Sequence, residues 1–165
     1  MSGRSLWTRI GIGTTVALVS VVAVPVPAPA PARVELAAGV AAGLGSGVLL
    51  FVAIARARPR APDATQLTVG QLCFLIGWAW VEEVLWRRLV LGGAALVVGA
   101  VAGLFVATAL FALAHRRGRP SQILTGAVFG AAYIGTGRLS AAVASHAVYN
   151  VLVAGARARE PAGAA

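Results

Sequence analysis

Long apolar runs, separated by short breaks of proline, glycine and arginine, set the pattern of this chain. The runs occupy roughly residues 6–24, 34–55, 67–91 or somewhat beyond, 94–115, 121–136 and 139–156. Each is close to the roughly 20 residues that carry an α-helix across a bilayer. The breaks are a Pro-Ala stretch at 25–31, an Arg- and Pro-rich segment at 56–62, a basic segment at 116–120 and a Gly-rich turn at 135–138. Proline and glycine end helices there because one removes a backbone donor and the other costs conformational entropy. The pattern predicts an all-α fold, a polytopic transmembrane bundle of about six helices. Gly39, Gly43 and Gly47, spaced by four in the second run, give a small-residue face for close helix packing.

Composition strengthens this picture. Hydrophobic residues make up 59% of the 165 residues and charged ones 12%, with a mean hydropathy of +0.85. Soluble domains carry about 25% charged residues, so the bilayer is the expected solvent. The length leaves no room for a separate soluble domain beside the spans. A net charge of +9 would suggest nucleic acid in a soluble protein, but here the arginines sit between apolar runs and follow topology instead. With the N-terminus inside, Arg4, Arg9, Arg56, Arg58, Arg60, Arg116, Arg117, Arg119, Arg157 and Arg159 are cytoplasmic, against Arg33 and Arg138 outside. That asymmetry predicts a multi-pass protein of the inner or plasma membrane with both termini cytoplasmic and no nucleic-acid partner. The first run also fits a secretory signal peptide ending at Ala30-Pro31-Ala32. The prolines around that site and the need for an inside N-terminus favour an uncleaved helix, so residues 1–33 are expected to be an N-terminal helix with a stiff connector and 34–165 the membrane domain. The lone Cys73, between Leu72 and Phe74, is expected to be a buried small hydrophobe.

The rare polar residues concentrate in three runs. Of five acids, Glu35, Asp63 and Glu160 lie in loops or at span ends, leaving Glu82 and Glu83 inside an apolar segment. A carboxylate there needs a partner or must face the bundle interior. Arg87 follows Glu83 by four residues, one turn away on the same face, so the two are expected to pair. Glu82 points about 100° away and is free for another task. His115 follows Phe111 by four, and Asn150 follows His146 by four in the last run. Any one of these could be helix-packing glue; together they take up both histidines and the single asparagine of the chain.

Convergence of these groups constrains the turn. Glu82 and His115 are 33 residues apart, so antiparallel helices bring them level only if the chain reverses near residue 98 or 99, where Gly99 stands. A turn at Gly92-Gly93 would mismatch the pair by roughly 13 Å of helix rise. A helix over 69–98 is then about 45 Å long against a ~30 Å core, and must tilt, kink near Gly77 or begin outside the hydrocarbon. Because His115 abuts Arg116 and Arg117, the site is expected in the cytoplasmic half of the bundle.

These residues carry a family resemblance. Glu82-Glu83-Val84-Leu85-Trp86-Arg87 resembles the EExxxR motif of the CPBP family (CaaX proteases and bacteriocin-processing enzymes, also called Abi), Phe111 to His115 its FxxxH and His146 to Asn150 its HxxxN. The resemblance covers about residues 67–153. Arg88 and Trp86 depart from it, since many relatives have glycine and phenylalanine there; both bear on packing or substrate fit. The resemblance implies a glutamic-type, metal-independent intramembrane endopeptidase with no cofactor. Its substrate would be a membrane-associated or lipidated peptide or protein in the lipid bilayer. Glu82 and His115 would activate water, His146 and Asn150 would hold the oxyanion, and Glu83, Arg87 and Phe111 would support them. Other readings stay open: a zinc-dependent membrane protease using the same acids and imidazoles, a proton-coupled transporter, and a non-catalytic membrane scaffold or immunity protein.

Overall fold

The computed structural model describes residues 3–24, 26–28, 31–55, 67–115 and 119–158. The Arg-rich segments 56–62 and 116–118, on which much of the charge asymmetry rests, lie outside the described residues. The helices are α1 (Gly3–Ala23), α2 (Leu36–Ala55), α3 (Val69–Glu83), a π-helical segment (Val84–Leu91), α4 (Gly92–Val98), α5 (Ala100–Ala114), α6 (Arg119–Thr136) and α7 (Leu139–Ala158). No strand occurs among the described residues. Because α3, the π-helical segment and α4 follow one another without a break, the described residues form the six expected rods.

The start of the long rod is written in its sequence. Thr68 accepts a hydrogen bond from the Gln71 backbone N–H, and Gln71 Oε1 accepts from the Thr68 backbone N–H at 2.8 Å. This reciprocal cap satisfies two donors that a helix start otherwise leaves orphaned. The rod ends at Gly99, whose φ of 83° is a conformation that only glycine adopts without strain. Gly99 is therefore the reversal that the spacing of Glu82 and His115 requires, and the rod runs through Gly92-Gly93. The helix is unbroken through Gly77, and its irregularity is the wider π-helical turn directly after Glu83.

Polarity is inverted relative to a water-soluble fold. Val22 and Val97 are each 84% exposed, whereas Glu83 and Arg87 are completely buried. Apolar side chains cover the outside and charge is enclosed, the arrangement expected of an integral membrane protein. Among the described residues two helices, over Leu36–Ile54 and Leu139–Arg157, are long and apolar enough, by length and composition, to cross a membrane. Cys73 is exposed, which corrects the expectation of a buried thiol: its apolar neighbours reflect an apolar helix, and it lies on the outward face of α3.

Helix α7 packs against α2, α3 and α6. A Cβ placed on Gly43 would collide with the carbonyl of Ala141, and one on Gly47 with that of Ser145, so these glycines let α2 and α7 touch backbone to backbone. Gly39 has ordinary room against Val34 and Arg138. Ser46 Oγ donates to Ser145 Oγ at 3.0 Å across the same seam. At the opposite side α1 lies on α3, with Gly13 against Val81. The connector ties back to the α6–α7 turn: Arg33 N–H donates to Thr136 O at 3.0 Å, and Arg138 Nε donates to Val34 O at 2.7 Å. Gly137, at φ 66°, lies so close to Pro31 that no side chain would fit. Leu50, Leu91, Ala107, Phe129, Tyr133 and Ala142 form a buried apolar cluster; Phe129 also reaches the polar site.

Candidate active site

Four helices bring the rare polar residues to one place. Trp78 and Glu82 of α3, Phe111 and His115 at the end of α5, Gln122, Thr125 and Phe129 of α6, and His146, Tyr149 and Asn150 of α7 line a cavity of about 210 Å³. Glu82, His115, His146 and Asn150 thus line one cavity, with room for water.

Beneath the cavity lies a closed ion-pair network. Arg87 Nε donates to Glu83 Oε2 at 2.8 Å, and both side chains are fully buried. Helical i,i+4 spacing places the pair on one face. The guanidinium also lies over the Phe111 ring, 5.2 Å from its centroid, and the Trp86 ring meets the same ring edge-on at 5.4 Å. Consecutive side chains of the π-helical turn, Trp86 and Arg87, therefore converge on a single aromatic partner. Arg87 Nη1 and Nη2 have no hydrogen-bond partner among the described residues, so Glu83 is its counterion there. The second oxygen of Glu83 is also engaged: Glu83 Oε1 lies 2.8 Å from His146 Nδ1. Sequence spacing pairs Glu83 with Arg87 alone; the bond to His146 crosses 63 residues of chain and leaves no local signal.

Glu82 faces the cavity with both oxygens. Trp78 Nε1–H donates to its Oε1 at 2.9 Å. His115 Nε2 lies 3.8 Å from Oε1, and His146 Nε2 lies 3.5 Å from Oε2. The first gap is too long for a direct hydrogen bond and leaves space for a water molecule seated off the line joining the two atoms.

Each imidazole is fixed on a face and at its Nδ1. His115 Nδ1 is 2.7 Å from the Phe111 carbonyl, which can only accept, so Nδ1 carries the proton. Its ring packs on Phe111 at 4.4 Å between centroids. His146 Nδ1 is held by Glu83, and its ring stacks on Phe129 at 4.6 Å with an 18° interplanar angle. Both Nε2 atoms are thereby turned toward Glu82. Asn150, one turn beyond His146, supplies a carboxamide to the same cavity.

Helix length adds a further feature. The 15 residues of α5 span about 22 Å at 1.5 Å per residue, less than a ~30 Å hydrocarbon core. His115 follows its last turn in extended conformation, φ −100° and ψ 94°. Among the described residues no group of three or more His, Cys, Asp and Glu side chains is arranged to hold a metal.

Trp78, Gln122, Thr125, Phe129 and Tyr149 are cavity residues that motif reading missed. Trp78 was detectable as the residue one turn before Glu82, and Gln122, Thr125 and Phe129 as a single face of α6. Arg88, a departure from the family pattern, has a buried Nε with no hydrogen-bond partner among the described residues.

Comparison with known families bears on this site directly. The family model described as Type II CAAX prenyl endopeptidase Rce1-like matches residues 64–152, more than half of the chain and a stretch that contains every polar residue of the site. No curated protein and no solved structure matches the chain.

Proposed function

The chain belongs to the Type II CAAX prenyl endopeptidase Rce1-like family, a family of membrane-embedded endopeptidases, and from that premise we propose that it hydrolyses a peptide bond through a metal-free glutamate mechanism. The observation that carries this reading is Glu82, placed with one oxygen toward each imidazole in a shared cavity. A water between Glu82 Oε1 and His115 Nε2 donates one hydrogen to each, because the Nδ1 proton of His115 is spent on Phe111. Its oxygen attacks the scissile carbonyl carbon as a proton passes to Glu82. The carbonyl π pair moves onto oxygen, and this oxyanion accepts hydrogen bonds from the Asn150 carboxamide and from Nε2–H of a protonated His146. The positive charge on His146 is balanced by Glu83, whose partner Arg87 stays in place. Collapse of the tetrahedral intermediate breaks the C–N bond. Glu82 returns its proton to the leaving amine, giving one new carboxylate and one new amine.

The substrate is a peptide or protein in or at the bilayer, lipid-anchored as the family's name suggests. No cofactor is required. The chain is multi-pass in the cell membrane with both termini cytoplasmic, and α5 ends within the hydrocarbon, so that His115 meets substrate from the cytosolic side. The seat of α1 on α3 next to Glu82 supports an N-terminal helix, 1–33 with its connector, that is retained beside the protease domain, 34–165.

The test is comparative mass spectrometry of membrane peptides from cells carrying wild type or Glu82→Gln. A cleavage product confined to wild type is expected and identifies the substrate. Identical peptide sets, with a wild-type phenotype preserved in Glu82→Gln, would instead fit a non-catalytic scaffold.

A further inference from the structure

One polar group in the cavity has no role in the chemistry above. Trp78 Nε1–H is committed to Glu82. Thr125, almost fully buried, directs its hydroxyl to Gln122, 3.2 Å from the backbone carbonyl and 3.3 Å from Oε1. The carboxamide lies with Oε1 toward Thr125, and its NH2 makes no hydrogen bond to any described residue while the side chain lines the cavity. A carboxamide held at one end beside a half-open polar cavity presents two donors that a ligand can take over from water.

Position indicates which part of a ligand they meet. Gln122 and Phe129 lie seven residues apart on α6, about 10 Å along the helix axis. Phe129 stacks on His146, beside the reacting centre. An extended peptide laid along α6 advances about 3.4 Å per residue, which would set Gln122 roughly three residues from the scissile bond. A main chain there carries carbonyl oxygens that the membrane cannot solvate. We propose that Gln122, oriented by Thr125, is a substrate-binding residue whose NH2 donates to a main-chain oxygen of the peptide about three residues from the bond that is cut. The inference rests on the hydrolytic reading for the position of the scissile bond. It makes backbone register, in addition to side-chain identity, a criterion for acceptance.

The experiment measures binding rather than turnover. Full-length Glu82→Gln protein in lipid nanodiscs is titrated with a fluorescent S-farnesylated peptide ending in Cys-Val-Val-Ala. A second series of probes replaces single backbone amides by esters, which accept hydrogen bonds less well. Adding Gln122→Ala should weaken binding about tenfold, the effect of one enclosed hydrogen bond. Adding Thr125→Val should weaken it about threefold by releasing the carboxamide. One ester position should weaken binding to the parent yet leave Gln122→Ala unaffected, a coupling that a merely structural role of Gln122 would not produce. Affinities of Gln122→Ala within twofold of the parent, in protein with unchanged melting, overturn the proposal, as does absence of saturable binding to the parent. Wild-type protein that binds the probe with this pattern but never cleaves it would sink the protease reading and leave the Gln122 assignment standing.

Discussion

Glu83 is the most informative residue to perturb, because two positive or donor groups depend on its two oxygens. In Glu83→Gln the amide oxygen can accept from Arg87 Nε–H or from His146 Nδ1–H, but the NH2 then points its hydrogens at the other donor. One of two 2.8 Å bonds is lost and a fully buried guanidinium loses its counterion. Removing one member of a buried pair costs about 3–5 kcal/mol. Arg87→Met should also destabilise, by less, because the buried carboxylate loses its guanidinium but keeps its bond to His146 Nδ1. In the double variant neither charge is left alone, so the loss should fall below the sum of the single losses by roughly 2 kcal/mol or more. Tryptophan fluorescence during thermal unfolding in detergent micelles is the assay, and each single variant should melt on the order of 10 °C lower. Additivity within about 0.5 kcal/mol would show that Glu83 and Arg87 do not act as a pair and would refute the electrostatic basis of the site.

Further outcomes follow from the same geometry. Trp78→Phe keeps the ring beside Phe74 but deletes the donor to Glu82, so kcat should fall roughly 10- to 100-fold with KM little changed; steady-state kinetics on an identified substrate decide it. Gly43→Ala drives a methyl group into the Ala141 carbonyl and should cost about 1–3 kcal/mol in thermal unfolding, whereas Gly45→Ala, with open space around it, should be neutral. Activity should survive exhaustive chelation; loss with chelator and recovery with zinc would sink the metal-free mechanism.

What the sequence made legible depends on locality. The Glu83–Arg87 pair follows from one helical turn, and the Gly99 reversal from requiring Glu82 and His115 to stand level. Gly43 and Gly47 mark close packing because nothing larger fits between two backbones. The contacts that complete the site are of another kind. Glu83 to His146 and Phe129 to His146 join distant segments, and only the packing of α3, α6 and α7 decides which ring nitrogen meets which oxygen. The π-helical turn was equally hidden, since Val84–Leu91 carries no proline or glycine that would announce it. Cys73 shows the same limit in reverse: uniform apolarity says that a helix lies in lipid or core but not which face is inside.

The two imidazoles illustrate why that hidden layer matters for chemistry. Both sit four residues from a partner in a motif, and spacing alone treats them alike. Their Nδ1 atoms, however, rest on different acceptors, a neutral carbonyl for His115 and a carboxylate for His146. The carbonyl can only accept, so it keeps a proton on Nδ1 of His115, and in the neutral ring Nε2 is the atom left to accept from water. The carboxylate takes a charge-assisted bond from Nδ1–H of His146, so Glu83 is the group set to balance the Nε2–H that the proposed mechanism places on that ring. On this reading Glu83 divides the labour between two identical side chains, one serving the nucleophile and the other the oxyanion. Glu83→Gln should therefore impair oxyanion stabilisation while leaving the Glu82–His115 water site in place.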